Sequence, residues 1–337
     1  MGRMQTESVV QSTVLIGWVS LFILAVLFLL IQPKGDLISY LPFIVSVLIL
    51  GMPHGAVDHL VPRYLTSTDT KSSVLLIVLL YAVLGITYIL LWFARPFTAL
   101  LLFIILTTLH WGQGDNYVYS IGYNSEYVSN KIGLVFGVLL KGSIPMLLPY
   151  IFHKEEYINV VSSIISLFNP ETSAYKLLQI NSTMTAVTIF LTLTTVIYFL
   201  NALRYGLSKS LKIDTFEVVF LLVFFYAIPP VYAIGTYFCF WHSIRHIGRL
   251  MNADDKIGLS DKSTGKLMKR FVYVSIPMTI GGIVLFIIFA VVTDASLLKY
   301  RDFLSAYLIA ISVMTLPHFV VVSWMDKKQD VYELISL

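Results

Sequence analysis

The chain has 337 residues, 57% hydrophobic and 12% charged, with a formal net charge of +4 and one cysteine. A soluble domain carries about 25% charged residues, whereas the mean hydropathy here is +0.82. These values exclude an ordinary soluble enzyme, and Cys239 alone cannot form an intrachain disulfide. The positive charge is spread over the segments between apolar runs, which fits a membrane topology bias better than nucleic-acid binding.

In chain order, the runs free of charge are Thr13–Gln32, Ser39–Val57, Ser72–Ala94, Pro96–Gly114, Leu177–Leu203, Val218–Ile244, Phe271–Thr293 and Phe303–Met325. Ile132–Phe152 joins them, interrupted by Lys141 alone. About 20 apolar residues cross a hydrocarbon core, so the expected fold is all-α, a polytopic transmembrane helical bundle. The first run is long enough to span and lacks a small-residue cleavage site, which favours a span over a cleavable signal. The whole of 1–337 reads as one integral membrane domain, with a solvated polar loop over Asn252–Arg270.

Val218–Ile244 contains Pro229-Pro230, which breaks a helix. Read as one span it gives nine crossings; divided at the prolines it gives ten. Ten crossings place sixteen Lys and Arg on one side and six on the other, the stronger asymmetry, with both termini cytoplasmic. They also place His54, His110, His242 and His318 in the inner half of the bilayer. His242, for example, falls 12 residues after the prolines, about 18 Å down a helix.

Six of the seven histidines lie in or at the ends of apolar runs; His153 reads as a loop residue. Ionisable groups inside spans are costly and mark function. In "MPHGAVDH" (52–59), His54 and Asp58 are i, i+4 and share a helix face, while His59 points about 140° away. Asp58 is placed to accept from the free nitrogen of a ligating histidine, and His59 reads as a rim residue. Pro53 suggests a kink. "LHWGQGD" (109–115) offers His110, Gln113 and Asp115. In "FWHSIRH" (240–246), His242 and His246 are i, i+4, about 6 Å apart, a spacing that lets two imidazoles hold one metal ion. In "TLPHFVV" (315–321), His318 is open between metal ligand, orienting group and packing residue. Each motif alone is also compatible with hydrogen-bonded structural histidines, and for His110 and His318 taken singly that is the commoner case. Imidazoles without thiolates suit iron, zinc or copper. Trp111, Tyr237, Phe238, Phe240 and Trp241 are candidates to line a slot for a flat apolar substrate, against the plainer reading of ordinary packing.

Together, "PHGAVDH" at 53–59, "HWGQGD" at 110–115, "WHSIRH" at 241–246 and "LPH" at 316–318 resemble the Brp/Blh family of membrane β-carotene 15,15′-dioxygenases. The resemblance implies an Fe(II) enzyme that splits the central double bond of β-carotene with O2 into two molecules of all-trans-retinal. It implies His54, His110, His242 and His246 as the iron ligands and Asp58 as the family's acidic position. The expected partners are β-carotene, O2 and membrane lipid of the cell membrane, with hand-over of retinal to a microbial rhodopsin, and no nucleic acid. Two rivals remain at this point. A membrane di-iron desaturase or hydroxylase needs about eight histidines in HxxxH and HxxHH boxes, and a histidine-lined metal or proton transporter needs polar groups through the whole membrane depth.

Overall fold

The computed structural model describes residues 2–33, 36–66, 69–168, 176–252 and 264–328, and among them every regular element is helical. In chain order these are α1 (Gly2–Ile31), α2 (Asp36–Leu48), α3 (Gly51–Gly55), α4 (Val61–Thr66), α5 (Thr70–Ala94), α6 (Pro96–Tyr117), α7 (Glu126–Ser129) and α8 (Lys131–Phe152). They continue as α9 (Lys154–Ser166), α10 (Lys176–Gln179), α11 (Asn181–Leu203), α12 (Lys209–Ala227), α13 (Pro230–Tyr237), α14 (Ile244–Asn252), α15 (Thr264–Val292) and α16 (Tyr300–Lys328). Asp69, Asn130 and Ser208 start α5, α8 and α12 by accepting from the first free backbone amides. Pro96 and Pro230 open α6 and α13, where a missing N–H costs nothing.

Among the described residues, eight segments are long and apolar enough to cross a membrane: Val9–Ile31, Leu37–Leu60, Thr70–Ala94, Pro96–Gly122, Lys131–Phe152, Asn181–Leu203, Lys269–Val292 and Tyr300–Lys327. Two further segments run alongside them. The chain breaks at Ile228-Pro229, so Val218–Ile244 is not a single helix but the end of α12 and the start of α13. Directions follow from contacts. Thr13 meets Gly248, Gly17 meets Trp241, and the Leu24 carbonyl accepts from Tyr232, so Pro230–Asn252 runs antiparallel to α1. Lys141 meets Asp214 while His153 Nε2 donates to the Phe225 and Tyr226 carbonyls, so α12 runs parallel to α8. The described residues therefore form ten alternating segments. The expected loop over Asn252–Arg270 needs correction at its end: α15 already begins at Thr264, and 253–263 lie outside the described residues. Arg245 and Arg249, two of the sixteen basic residues on that side, are buried within the bundle, though the basic excess there persists without them.

The tightest crossing is α6 on α8. A Cβ at Gly112 would sit 1.9 Å from the Val138 carbonyl oxygen, and one at Gly142 1.7 Å from that of Thr108. Backbones meet this closely in membranes through small residues on both helices. The amphipathic α9 was not anticipated. It buries Tyr157, Ile158, Val161, Ile164 and Ile165 against the end of the bundle at which α8 finishes and α16 starts.

Candidate metal centre

Four of the ten segments deliver five histidines to one point. His54 comes from α3. The helix does not continue smoothly to Asp58 as the i, i+4 reading expects: α3 ends at Gly55 and the chain passes into a 3-10 turn at Asp58–Leu60. His110 comes from α6, and His318 from α16 directly after Pro317. His242 lies in a π-helical stretch, Phe238–Ser243, between α13 and α14, and His246 lies in α14. Such π turns are frequent at functional sites; this one leaves the His242 and His246 rings nearly parallel with centroids 6.3 Å apart.

Ring centroids of His54 lie 5.3, 5.4 and 5.2 Å from those of His242, His246 and His318. His110 lies 4.8, 6.1 and 4.7 Å from the same three, and His246 lies 5.0 Å from His318. One donor atom from each of His54, His110 and His318 falls within 4.8 Å of the others, as do atoms of Asp58, His246 and His318. The structure thus joins His318 to the four histidines of the motifs. His59 stays apart, its Nδ1 2.9 Å from the Ala56 carbonyl oxygen.

Hydrogen bonds orient two of the five rings, those of His54 and His318. His54 Nδ1 donates to the Gly51 carbonyl. His318 Nδ1 donates to Asp58 Oδ2 at 2.8 Å, and the same oxygen accepts from the Tyr81 hydroxyl at 2.6 Å. A neutral imidazole that donates from Nδ1 presents a lone pair at Nε2. The buried Nε2 atoms of His110, His242, His246 and His318 have no hydrogen-bond partner. An orphaned buried polar atom costs about 1–3 kcal/mol. Four in one cluster of rings are a donor set that a borderline cation such as Fe(II) would satisfy. Sequence spacing could not supply the Asp58 partner or Tyr81, because both contacts depend on how α5 and α16 pack.

Behind the histidines lies a network of buried charge. Arg245 Nη1 donates to Asp115 at 2.7 Å, its other amino group donates to Glu217, and its guanidinium lies 3.9 Å from the Trp241 ring centre. Tyr237 and Trp241 donate to Asp115 at 3.1 and 3.2 Å. Trp18 and Tyr119 donate to Glu217 at 2.8 and 2.6 Å. A second pair, Arg249 with Asp326, lies deeper toward the ends of α14 and α16. Glu217 went unnoticed in the sequence, although an acidic residue opening an apolar run was the available signal.

A cavity of about 360 Å³ adjoins the histidines. It is lined by His54, Asp58, His110 and His318, by mostly apolar side chains of α6, α13 and α16, by Val78 of α5, and by Tyr157, Val160, Val161 and Ile164 of α9. Trp111 and Phe238 line it. The other three aromatic candidates do not. Tyr237 and Trp241 face the Asp115–Arg245 network on the opposite side of the helix, and Phe240 packs with them in the second core, because Arg245 and Asp115 need those polar and aromatic partners.

Residues 45–326 match the family of β-carotene 15,15′-dioxygenases, a span that holds all five clustered histidines and leaves out α1. The chain is 33% identical over 321 residues to the probable β-carotene 15,15′-dioxygenase Blh of Halobacterium salinarum, covering 94% of this chain and 92% of that one. It is 24% identical over 281 residues to the β-carotene 15,15′-dioxygenase of an uncultured marine bacterium, 66A03, covering 82% and 90%. A probable β-carotene 15,15′-dioxygenase Brp of H. salinarum is 22% identical over 309 residues, covering 86% and 84%. No solved structure matches the chain. With the family match extending from α2 to α16, the chain belongs to the β-carotene 15,15′-dioxygenase family.

Proposed function

We propose that this protein cleaves β-carotene at its central 15,15′ double bond with O2 and releases two molecules of all-trans-retinal. The observation that carries the reading is the histidine cluster with orphaned Nε2 atoms, two of whose members, His110 and His318, line a largely apolar cavity. The relatives' names supply the substrate and reaction. His54, His110, His242, His246 and His318 would hold Fe(II), which when bound supplies the activation of O2. The reaction balances without an added reductant: one C=C bond and one O2 become two C=O bonds.

The residues of the chain do the rest. Asp58 keeps the proton on His318 Nδ1, with Tyr81 holding the carboxylate in place. The ring of Trp111, tilted 22° from Phe238 and 34° from His242, offers a flat face to a planar polyene. The apolar walls keep water away and align the substrate. The cavity reaches the lipid-facing surface between α5 and α15, beside the exposed Val78 and the open space at Gly281, which suits a substrate dissolved in lipid. The di-iron reading fits less well, since it needs about eight histidines and the described residues bring five together. The transporter reading fits less well because the cavity lining is largely apolar away from the histidines. The basic excess supports a plasma-membrane protein with both termini cytoplasmic, and a microbial rhodopsin is the expected consumer of the retinal.

Purified protein supplied with Fe(II), air and β-carotene should yield retinal and bind one iron per chain. His242→Ala should insert normally and form no retinal. Two irons per chain, or no aldehyde from the wild type, would overturn the proposal.

A further inference from the structure

We infer that α9 is the stop that sets where a polyene is cut. The inference rests on the carotenoid-cleaving reading above and adds to it the residues that determine the site of cleavage. The two ends of the cavity differ. At the α9 end, Val161 and Ile164 are 3% and 2% exposed, and Leu304 and Tyr307 of α16 close it from the side. At the other end Val78 is 46% exposed. The cavity is therefore a blind slot with a lateral mouth.

The histidines lie between the two ends. Leu304 and His318 both line the slot and are 14 residues apart on α16, about 21 Å at 1.5 Å per residue. Gly85 of α5 packs against Val313. Val78 lies seven residues before Gly85 on this antiparallel helix, about 10 Å further toward the mouth, and His318 lies about 8 Å beyond Val313 in the same direction. β-Carotene is about as long as the hydrocarbon core is thick, roughly 30 Å. One arm of about half that length, with its ring, fills the blind part once side-chain bulk at each end is allowed for. The central bond then lies beside the histidines, and the second arm leaves through the mouth into lipid. In this arrangement the measuring device is the distance from the histidines to α9, and the outer arm is not measured at all.

The test compares two substrates on the iron-loaded full chain in detergent or lipid: β-carotene, and β-apo-8′-carotenal, in which one arm is shortened and lacks its ring. Both give retinal on cleavage at the 15,15′ bond. Ile164→Phe raises the floor of the slot. It should lower kcat/KM for β-carotene about tenfold or more, the scale on which apolar pockets discriminate by size. Cleavage of the apocarotenal, whose short arm still fits, should stay within about threefold of wild type. Ile164→Ala lowers the floor and should yield aldehydes of unequal length from β-carotene. Equal loss on both substrates, or unchanged rates and products in both variants, would overturn the inference. If Ile164→Phe does not accumulate in membranes, Val161→Phe carries the same comparison. Failure of the reaction reading itself would show differently, as a wild-type protein that makes no aldehyde from either substrate.

Discussion

Asp58→Asn isolates the contact that orients His318. Asp58 Oδ2 accepts two hydrogen bonds, from His318 Nδ1 at 2.8 Å and from the Tyr81 hydroxyl at 2.6 Å, at a residue only 2% exposed. The amide keeps the shape and one acceptor oxygen but loses the charge. Hydrogen bonds to charged groups contribute about 1.5–3 kcal/mol and neutral ones about 0.5–1.5. The two contacts together therefore lose about 2 kcal/mol, close to 30-fold in a binding constant. Groups that orient metal-binding histidines typically account for about 10–100-fold in metal affinity, so two independent routes agree. The assay is Fe(II) affinity of the solubilised full chain, measured by competition with a chelator of known affinity, alongside retinal formation at saturating iron. Tyr81→Phe removes one contact and leaves the carboxylate on His318, so it should lose about 1 kcal/mol, or fivefold. Wild-type iron affinity in Asp58→Asn, or a larger loss in Tyr81→Phe than in Asp58→Asn, would refute the reasoning.

Two further perturbations test the frame that carries the histidines. Gly142→Ala places a methyl 1.7 Å from the Thr108 carbonyl oxygen; overpacking of this kind costs about 1–3 kcal/mol, and the displaced α6 carries His110, so thermal stability in detergent and iron affinity should fall together. Glu217→Ala strands half of the Arg245 guanidinium within the bundle. Breaking a buried ion pair from one side costs about 3–5 kcal/mol, which should appear as a lower Tm in detergent, whereas Glu217→Gln keeps the shape and one of the two acceptor oxygens and should recover part of it.

The membrane bundle was legible because hydrophobic runs of spanning length have few alternative readings. The division at Pro229-Pro230 was legible for the same reason that it exists, since proline offers no backbone N–H and clashes with the preceding turn. The α9 helix was not. Its 13 residues are too few to span and too mixed to stand out, and its apolar face has meaning only against the bundle end that it covers. The mid-helix break between His54 and Asp58 was equally hidden, because Pro53 signals a disturbance of the helix without fixing its form.

At the site, the same distinction separates what spacing can and cannot show. His242 and His246 sit on one continuous stretch of chain, so their separation of 6.3 Å lay within reach of helical geometry. Assembly of His54, His110 and His318 with them depends on which helices are neighbours, which no single-chain periodicity encodes. Shared depth narrowed the choice, because four histidines at one level of a bilayer have few places to go except toward each other. Tyr237, Phe240 and Trp241 fall outside the slot while Phe238 lines it, for a related reason: helical phase separates Phe238 from Tyr237 and Trp241, but only the packing shows which side faces the slot. Arg245 resolves the choice in retrospect. A guanidinium between two clustered histidines in sequence cannot share their face without adding a cation to a proposed cation site, so it turns away toward Asp115 and Glu217. The rings that cover it, Trp241 above all, must turn with it.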